Sequence, residues 1–113
     1  MEPSEQTVRA VVFFDRGWWV AQCLDYDICV SAGSREKLPR KLLRRLRSRA
    51  AFDVSHGFRP FQNVSRAPEK FWEMYAAASH FKVEELREPW FIRFWRIGQR
   101  IPTLRAELTL ASA

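Results

Sequence analysis

The alternation of hydrophobic and polar positions predicts three strands in the first third of the chain. Residues 7–14 are rich in β-branched and aromatic side chains, and Asp15 to Gly17 follows as a turn. Residues 18–24 continue as a second strand, and a turn around Tyr26 leads into a third strand over residues 28–31. Because short connections join antiparallel neighbours, we expect a three-stranded antiparallel sheet.

The second strand carries a tryptophan pair whose members point to opposite faces. Trp18, Val20 and Leu24 share one face of the strand, and Trp19 lies on the other. If no second layer covers that other face, Trp19 marks an interface with a partner.

The following segment has the period of an amphipathic helix. Ser34 is a candidate N-cap, but Pro39 would interrupt a helix that begins there, so the regular helix is predicted to begin near Leu38. Gly57 gives a stop signal. Five apolar residues fall within an arc of about 140° and are expected to pack on the sheet. They are Leu38, Leu42, Leu43, Leu46 and Ala50.

The second half of the chain predicts one more helix and one more strand. Residues 58–67 have no period and read as a loop, whereas residues 68–83 carry a narrow apolar stripe at helical spacing. Residues 90–100 fit a cationic aromatic helix, a strand or a membrane-surface segment, and the pattern leaves these alternatives open. Residues 103–110 alternate strictly, which predicts a half-buried strand that joins the first sheet.

Length and composition indicate a single α+β domain. A chain of 113 residues with 47% hydrophobic content can bury one core, which we place over residues 7–57 with a C-terminal extension over residues 58–113. The acidic start, Met1 to Gln6, differs from a signal peptide, and no apolar run approaches the ~20 residues that a bilayer requires. We therefore expect a cytoplasmic protein.

The positive charge is concentrated in one segment. Residues 35–53 hold eight basic and two acidic residues. The net charge of this segment therefore equals the net charge of the whole chain, +6. The functional interpretation is a docking face for phosphates or for an acidic protein surface, and the alternative is an ordinary solvated helix face. The candidate binding residues are Arg40, Lys41, Arg44, Arg45 and Arg47.

No segment of the sequence carries a catalytic or cofactor motif. His56 and His80 stand apart, and Asp25 with Asp27 could bind a metal beside Asp15 but more often serve as turn residues. We therefore expect no catalytic residues, no metal and no cofactor, and a metal-dependent enzyme is the most distant alternative.

Two cysteines stand symmetrically about Tyr26 if that residue is the centre of a hairpin. Cys23 and Cys29 could then face each other and form a disulfide. A reducing compartment favours two packed thiols instead, and the sequence does not decide whether they are ever oxidised.

Residues 17–28 and 31–38 resemble the N-terminal domain of HicB-like antitoxins, in which a Gly-aromatic-Trp-Val-Ala hairpin precedes a loop and a helix. Residues 56–61 and 67–74 are similar to a subgroup of short bacterial proteins with the same domain and no DNA-binding C-terminal module. The resemblance implies a β-β-β-α-β fold like that of double-stranded-RNA-binding domains. It also implies a protein partner, a small ribonuclease toxin.

The sequence thus predicts a non-catalytic protein-binding module of HicB-like antitoxin type that neutralises a partner toxin, and that forms a homodimer through a sheet face or edge. The alternative is a nucleic-acid-binding protein that uses the basic helix over residues 35–53.

Overall fold

The computed structural model describes residues 5–78, 83–87 and 103–111, and these form a five-stranded sheet with two helices. The strands are β1 (Glu5–Asp15), β2 (Trp18–Cys23), β3 (Cys29–Ala32), β4 (Val83–Arg87) and β5 (Thr103–Leu110). The helices are α1 (Leu38–Ser55), which follows a 3-10 turn at Arg35–Lys37, and α2 (Glu69–Ala77). The α+β class is confirmed.

The sheet is mixed and has the order β3-β2-β1-β5-β4. The first three strands pair antiparallel as predicted, and β5 lies parallel to β1 and antiparallel to β4. The prediction of a three-stranded antiparallel sheet is therefore wrong in strand number and in type. The prediction that residues 103–110 join the first sheet is confirmed.

A tight two-residue turn sets the register of the first hairpin. Asp15 pairs with Trp18, and the intervening Arg16 and Gly17 have φ values of 51° and 87°. Two successive positive φ values match the right-handed twist of the flanking strands, and glycine adopts the second one without steric cost.

Helix α1 begins and ends where the local signals predicted. Pro39 lies in its first turn, where a missing N–H costs no intrahelical hydrogen bond. At the other end Gly57 adopts a φ of 82° and donates to Val54 O, and Phe58 N–H donates to Asp53 O at 2.8 Å. This pair of hydrogen bonds caps the last carbonyl groups of the helix.

The two helices cover opposite faces of the sheet. All five predicted apolar residues of α1 are buried against one face, together with residues such as Ala21 and Cys23 of β2. The other face carries Val11 and Leu24, which pack with Phe71 and Trp72 of α2. Because adjacent strand residues point in opposite directions, one strand supplies both cores.

The predicted helix over residues 68–83 is too long at its C-terminal end. Helix α2 ends at Ala77, and Val83 belongs to β4.

No helix within the described residues combines the length and the apolar character that spanning a membrane requires. His80 and the undecided segment 90–100 lie outside the described residues.

Candidate binding surface on helix α1 and strand β3

The five candidate residues lie together on the solvent side of α1. We call Arg40, Lys41, Arg44, Arg45 and Arg47 the basic face. The first four are exposed and Arg47 is half-buried. Because the opposite side of the helix is buried in the core, the helix holds these charges at fixed positions on the surface.

Helical geometry divides the positive charges of α1 into two rows. At 100° per residue, the outer row of Arg40, Arg44 and Arg47 spans about 60° on the side of the helix away from β3, and Arg44 points most directly to solvent. The groove row of Lys41, Arg45 and Arg49 points sideways towards β3. The contacts agree with this division, because Lys41 Nζ donates to Ser31 O of β3 and Arg45 and Arg49 line a groove beside that strand.

No acidic side chain among the described residues pairs with the exposed arginines of the basic face. The one carboxylate of α1, Asp53, is 1% exposed, and its two oxygens accept hydrogen bonds from Arg49 Nε at 3.0 Å and from Phe61 N–H at 2.7 Å. Among the described residues, none forms an ion pair with Arg40, Arg44 or Arg45. The surface therefore presents an uncompensated positive field.

A groove of about 580 Å³ separates α1 from β3 and its preceding turn. Its lining combines apolar and charged groups, which come from Asp27, Ile28, Cys29, Arg45, Arg49 and Phe52. The Phe52 side chain is 52% exposed and stacks on His56, with the ring centroids 4.1 Å apart. His56 itself is the C-cap of α1, and its Nδ1 lies 2.8 Å from Phe52 O.

Trp19 lies on the face that α1 covers. Its indole is half-buried against the α1 core, contacts Phe14 edge-to-face at 5.2 Å and has the Arg35 guanidinium 5.7 Å from its ring. Its neighbour Trp18 is 55% exposed and Phe14 is 59% exposed. The more exposed indole of the pair is thus Trp18, because α1 packs on the Trp19 side and Trp18 is not part of the core beneath α2.

The aspartates of the β2–β3 connection accept hydrogen bonds from protein donors. The Asp25 carboxylate accepts the Arg9 backbone N–H and forms a 3.0 Å salt bridge with Arg9 Nη2, which raises the pKa of Arg9. The Asp27 carboxylate accepts a hydrogen bond from Gln22 Nε2 at 3.0 Å. Within the described ranges no three His, Cys, Asp or Glu side chains cluster as metal ligands do.

The two cysteines point to opposite faces of the sheet. Cys29 pairs with Gln22, so Cys23 stands opposite Ile28 and the hairpin is centred between Asp25 and Tyr26. This half-residue offset from the expected centre places the two thiols on different faces. Both thiols are free, and burial raises the pKa of Cys23 to about 11.

No family model, curated protein or solved structure matches this chain. The resemblance to HicB-like antitoxins stays a prediction that rests on the residues quoted for it.

Proposed function

We propose that this chain is a non-catalytic protein-binding module of HicB-like antitoxin type, and that it holds its partner on the basic face of α1. One observation carries the proposal: Arg45, which is exposed and forms no ion pair with a described residue, lines a groove of mixed apolar and charged groups beside the outer strand of the sheet. Protein interfaces typically combine an apolar centre with arginines and a polar rim. The half-exposed Phe52 ring supplies the apolar element here.

The positive charge of the basic face determines which charge a protein partner must carry where it docks. A protein partner that docks on α1 must present carboxylates. Placing basic side chains of a partner opposite the basic face would cost several kcal/mol of binding free energy. A basic toxin would therefore meet this face through an acidic patch or an acidic segment. Long-range attraction of opposite charges would also accelerate the encounter.

A nucleic-acid-binding function is the second candidate, and the outer row favours it. Arg40, Arg44 and Arg47 follow one another along a single helix face on the side away from the groove, and Arg40 and Arg44 are exposed there. Such a row can approach successive phosphates without obstruction from the sheet. This binding would be strongly salt-dependent, and it would not require the groove.

One triple variant and a matched control test both functions. The variant R40E/R44E/R47E reverses the outer row, and the control R16E/R59E/K70E applies the same charge change at exposed positions elsewhere. Both proteins and the wild type are co-expressed with the product of the neighbouring reading frame, and the complexes are measured by size-exclusion chromatography with light scattering. The same runs report the predicted homodimer.

The antitoxin proposal expects a stoichiometric complex with that product, lost in R40E/R44E/R47E and kept in the control. A genome without a small ribonuclease-like neighbour, or a complex that survives the reversal, would contradict it. Fluorescence anisotropy with 20-base-pair DNA and RNA duplexes over a salt series tests the second candidate. A steep log-salt slope that disappears only in R40E/R44E/R47E would favour nucleic acid.

A further inference from the structure

The outer edge of β3 presents main-chain groups that no described strand pairs with. Strand β3 ends the order of the described strands, in which its neighbour is β2. Cys23 N–H donates to Ile28 O at 2.9 Å, which makes Cys23 and Ile28 a hydrogen-bonded pair. Because such pairs alternate along an antiparallel ladder, Cys29 and Ser31 direct their N–H and C=O groups away from β2.

Lys41 contacts this open edge directly. Its ammonium donates to Ser31 O, which is one of the outward-pointing carbonyl groups. Lysine at a sheet edge hinders uncontrolled strand pairing, and a flexible lysine can also leave the carbonyl when a suitable strand arrives. One side chain of α1 therefore contacts this edge at Ser31 O.

The groove beside this edge has a composition that selects its occupant. A strand added to β3 would direct alternate side chains towards α1, into the space between the Ile28 and Phe52 side chains. Arg45 stands at the same groove without an ion pair to any described residue. An occupant with a large apolar residue and a carboxylate two positions apart would complement both groups.

A second copy of this chain is a poor occupant of the edge. Two β3 strands paired about a two-fold axis would form a continuous sheet with both α1 helices side by side on one face. The two groove rows, each containing Lys41 and Arg45, would then approach each other. Repulsion between like charges opposes this arrangement and favours an acidic segment.

We propose that β3 accepts an extended acidic segment of the protein partner as an added strand, with an apolar side chain against Ile28 and Phe52 and a carboxylate on Arg45. This inference rests on the proposed protein-binding function. It specifies the mode of binding: main-chain hydrogen bonds with Cys29 and Ser31 supply affinity, and the groove supplies selectivity.

The probe is a fluorescein-labelled octapeptide in which threonine alternates with aspartate and leucine, so that one face carries Asp, Leu, Asp and Leu. Its binding to the full chain is measured by anisotropy. Two control peptides replace aspartate by lysine, or carry N-methyl groups on alternate amides, which block strand pairing and keep the charge. Wild-type binding to the first peptide alone is expected.

Two variants one residue apart separate strand addition from general electrostatics. R45E and R44E make the same charge change at exposed positions of the same helix, but only Arg45 lines the groove. We expect R45E to weaken binding at least about tenfold, as loss of one well-placed charge contact does, and R44E to weaken it by less than about threefold. F52A, which truncates a half-exposed ring, should also weaken binding.

Amide hydrogen exchange gives a direct readout of the edge. Peptide binding should slow exchange at Cys29 and Ser31, whereas Val30, which faces β2, should change little.

Three outcomes would each overturn the inference: no binding of the peptide to the wild type, equal loss of binding in R45E and R44E, or equal binding of the N-methylated peptide. If the complex with the neighbouring product still depends on the outer row after such a result, the proposed function stands without strand addition. If that complex is also absent, both fail.

Discussion

Replacing Asp53 by alanine tests whether the buried end of α1 holds the following loop in place. Its carboxylate accepts Phe61 N–H at 2.7 Å, and Phe61 is 4% exposed with a positive φ of 64°. A non-glycine residue in this conformation persists only when its surroundings hold it there. The second support is the stacking of its ring on Tyr26 at 4.1 Å.

The expected loss is about 2–3 kcal/mol. An unsatisfied buried N–H costs about 1–3 kcal/mol. The salt bridge with Arg49 adds about 0.5 kcal/mol or less, because the Arg49 side chain is 38% exposed and solvent screens the pair. Asp53→Asn keeps an oxygen for Phe61 N–H and loses only the charge, so we expect a cost near 1 kcal/mol.

Urea unfolding followed by tryptophan fluorescence measures these differences. With a slope of about 1–3 kcal/mol per molar urea, the alanine variant should unfold roughly 1–3 M earlier, and the slope should not change. The order of stability should be wild type, then Asp53→Asn, then Asp53→Ala. A loss below about 0.5 kcal/mol in Asp53→Ala, which is within the usual range of neutral surface changes, would refute this role of the carboxylate.

Three further changes test the cap and the two thiols. Gly57→Ala should lower the free energy of unfolding by about 1 kcal/mol because alanine resists a φ of 82°, whereas Gly33→Ala, at a position without positive φ, should be nearly neutral in the same urea titration. The pKa of Cys23 rises from 9.0 to about 11 on folding. Its contribution to stability is therefore complete well below pH 9 and is lost as the pH rises through 11, by about 3 kcal/mol in total. Cys23→Ala should lack this decrease, and identical pH profiles would contradict the assignment. In the native protein at pH 8 a maleimide should label Cys29 rapidly and Cys23 only after urea is added, with Cys29→Ser removing the rapid phase.

Local signals in the sequence were sufficient for the elements that depend on short-range chemistry. Helix α1 begins at Leu38 and is capped at His56 and Gly57, because proline and glycine act on the backbone wherever the rest of the fold places them. The strict alternation of residues 103–110 likewise gave β5, whose Leu104, Ala106 and Leu108 are buried.

Long-range pairing was not accessible from the same signals. Strand β4 is five residues long and contains Glu84, Glu85 and Arg87, so it lacks the apolar alternation that predicts a strand. Edge strands commonly carry charge, since charged residues discourage pairing with other chains. Its place in the sheet depends on β5, and no local pattern encodes that partner.

The candidate site could be predicted only in part. Charge and helical period identified the basic face, but the groove depends on the β2–β3 register, which local turn signals left uncertain by half a residue. The same offset decided that Cys23 and Cys29 point to opposite faces. A shift of one position in a strand reverses every side chain, so small errors in turn geometry have large effects on predicted surfaces.

The parallel pairing of β1 with β5 has a consequence for folding in the cell. Strand β1 is central in the sheet, but its neighbour on one side is formed by residues 103–110, which are synthesised well after it. Contacts between segments so distant in sequence form slowly, because the intervening chain must be ordered first. During synthesis β1 would therefore expose an unpaired hydrophobic edge, and a chain that stopped before β5 would be prone to aggregate.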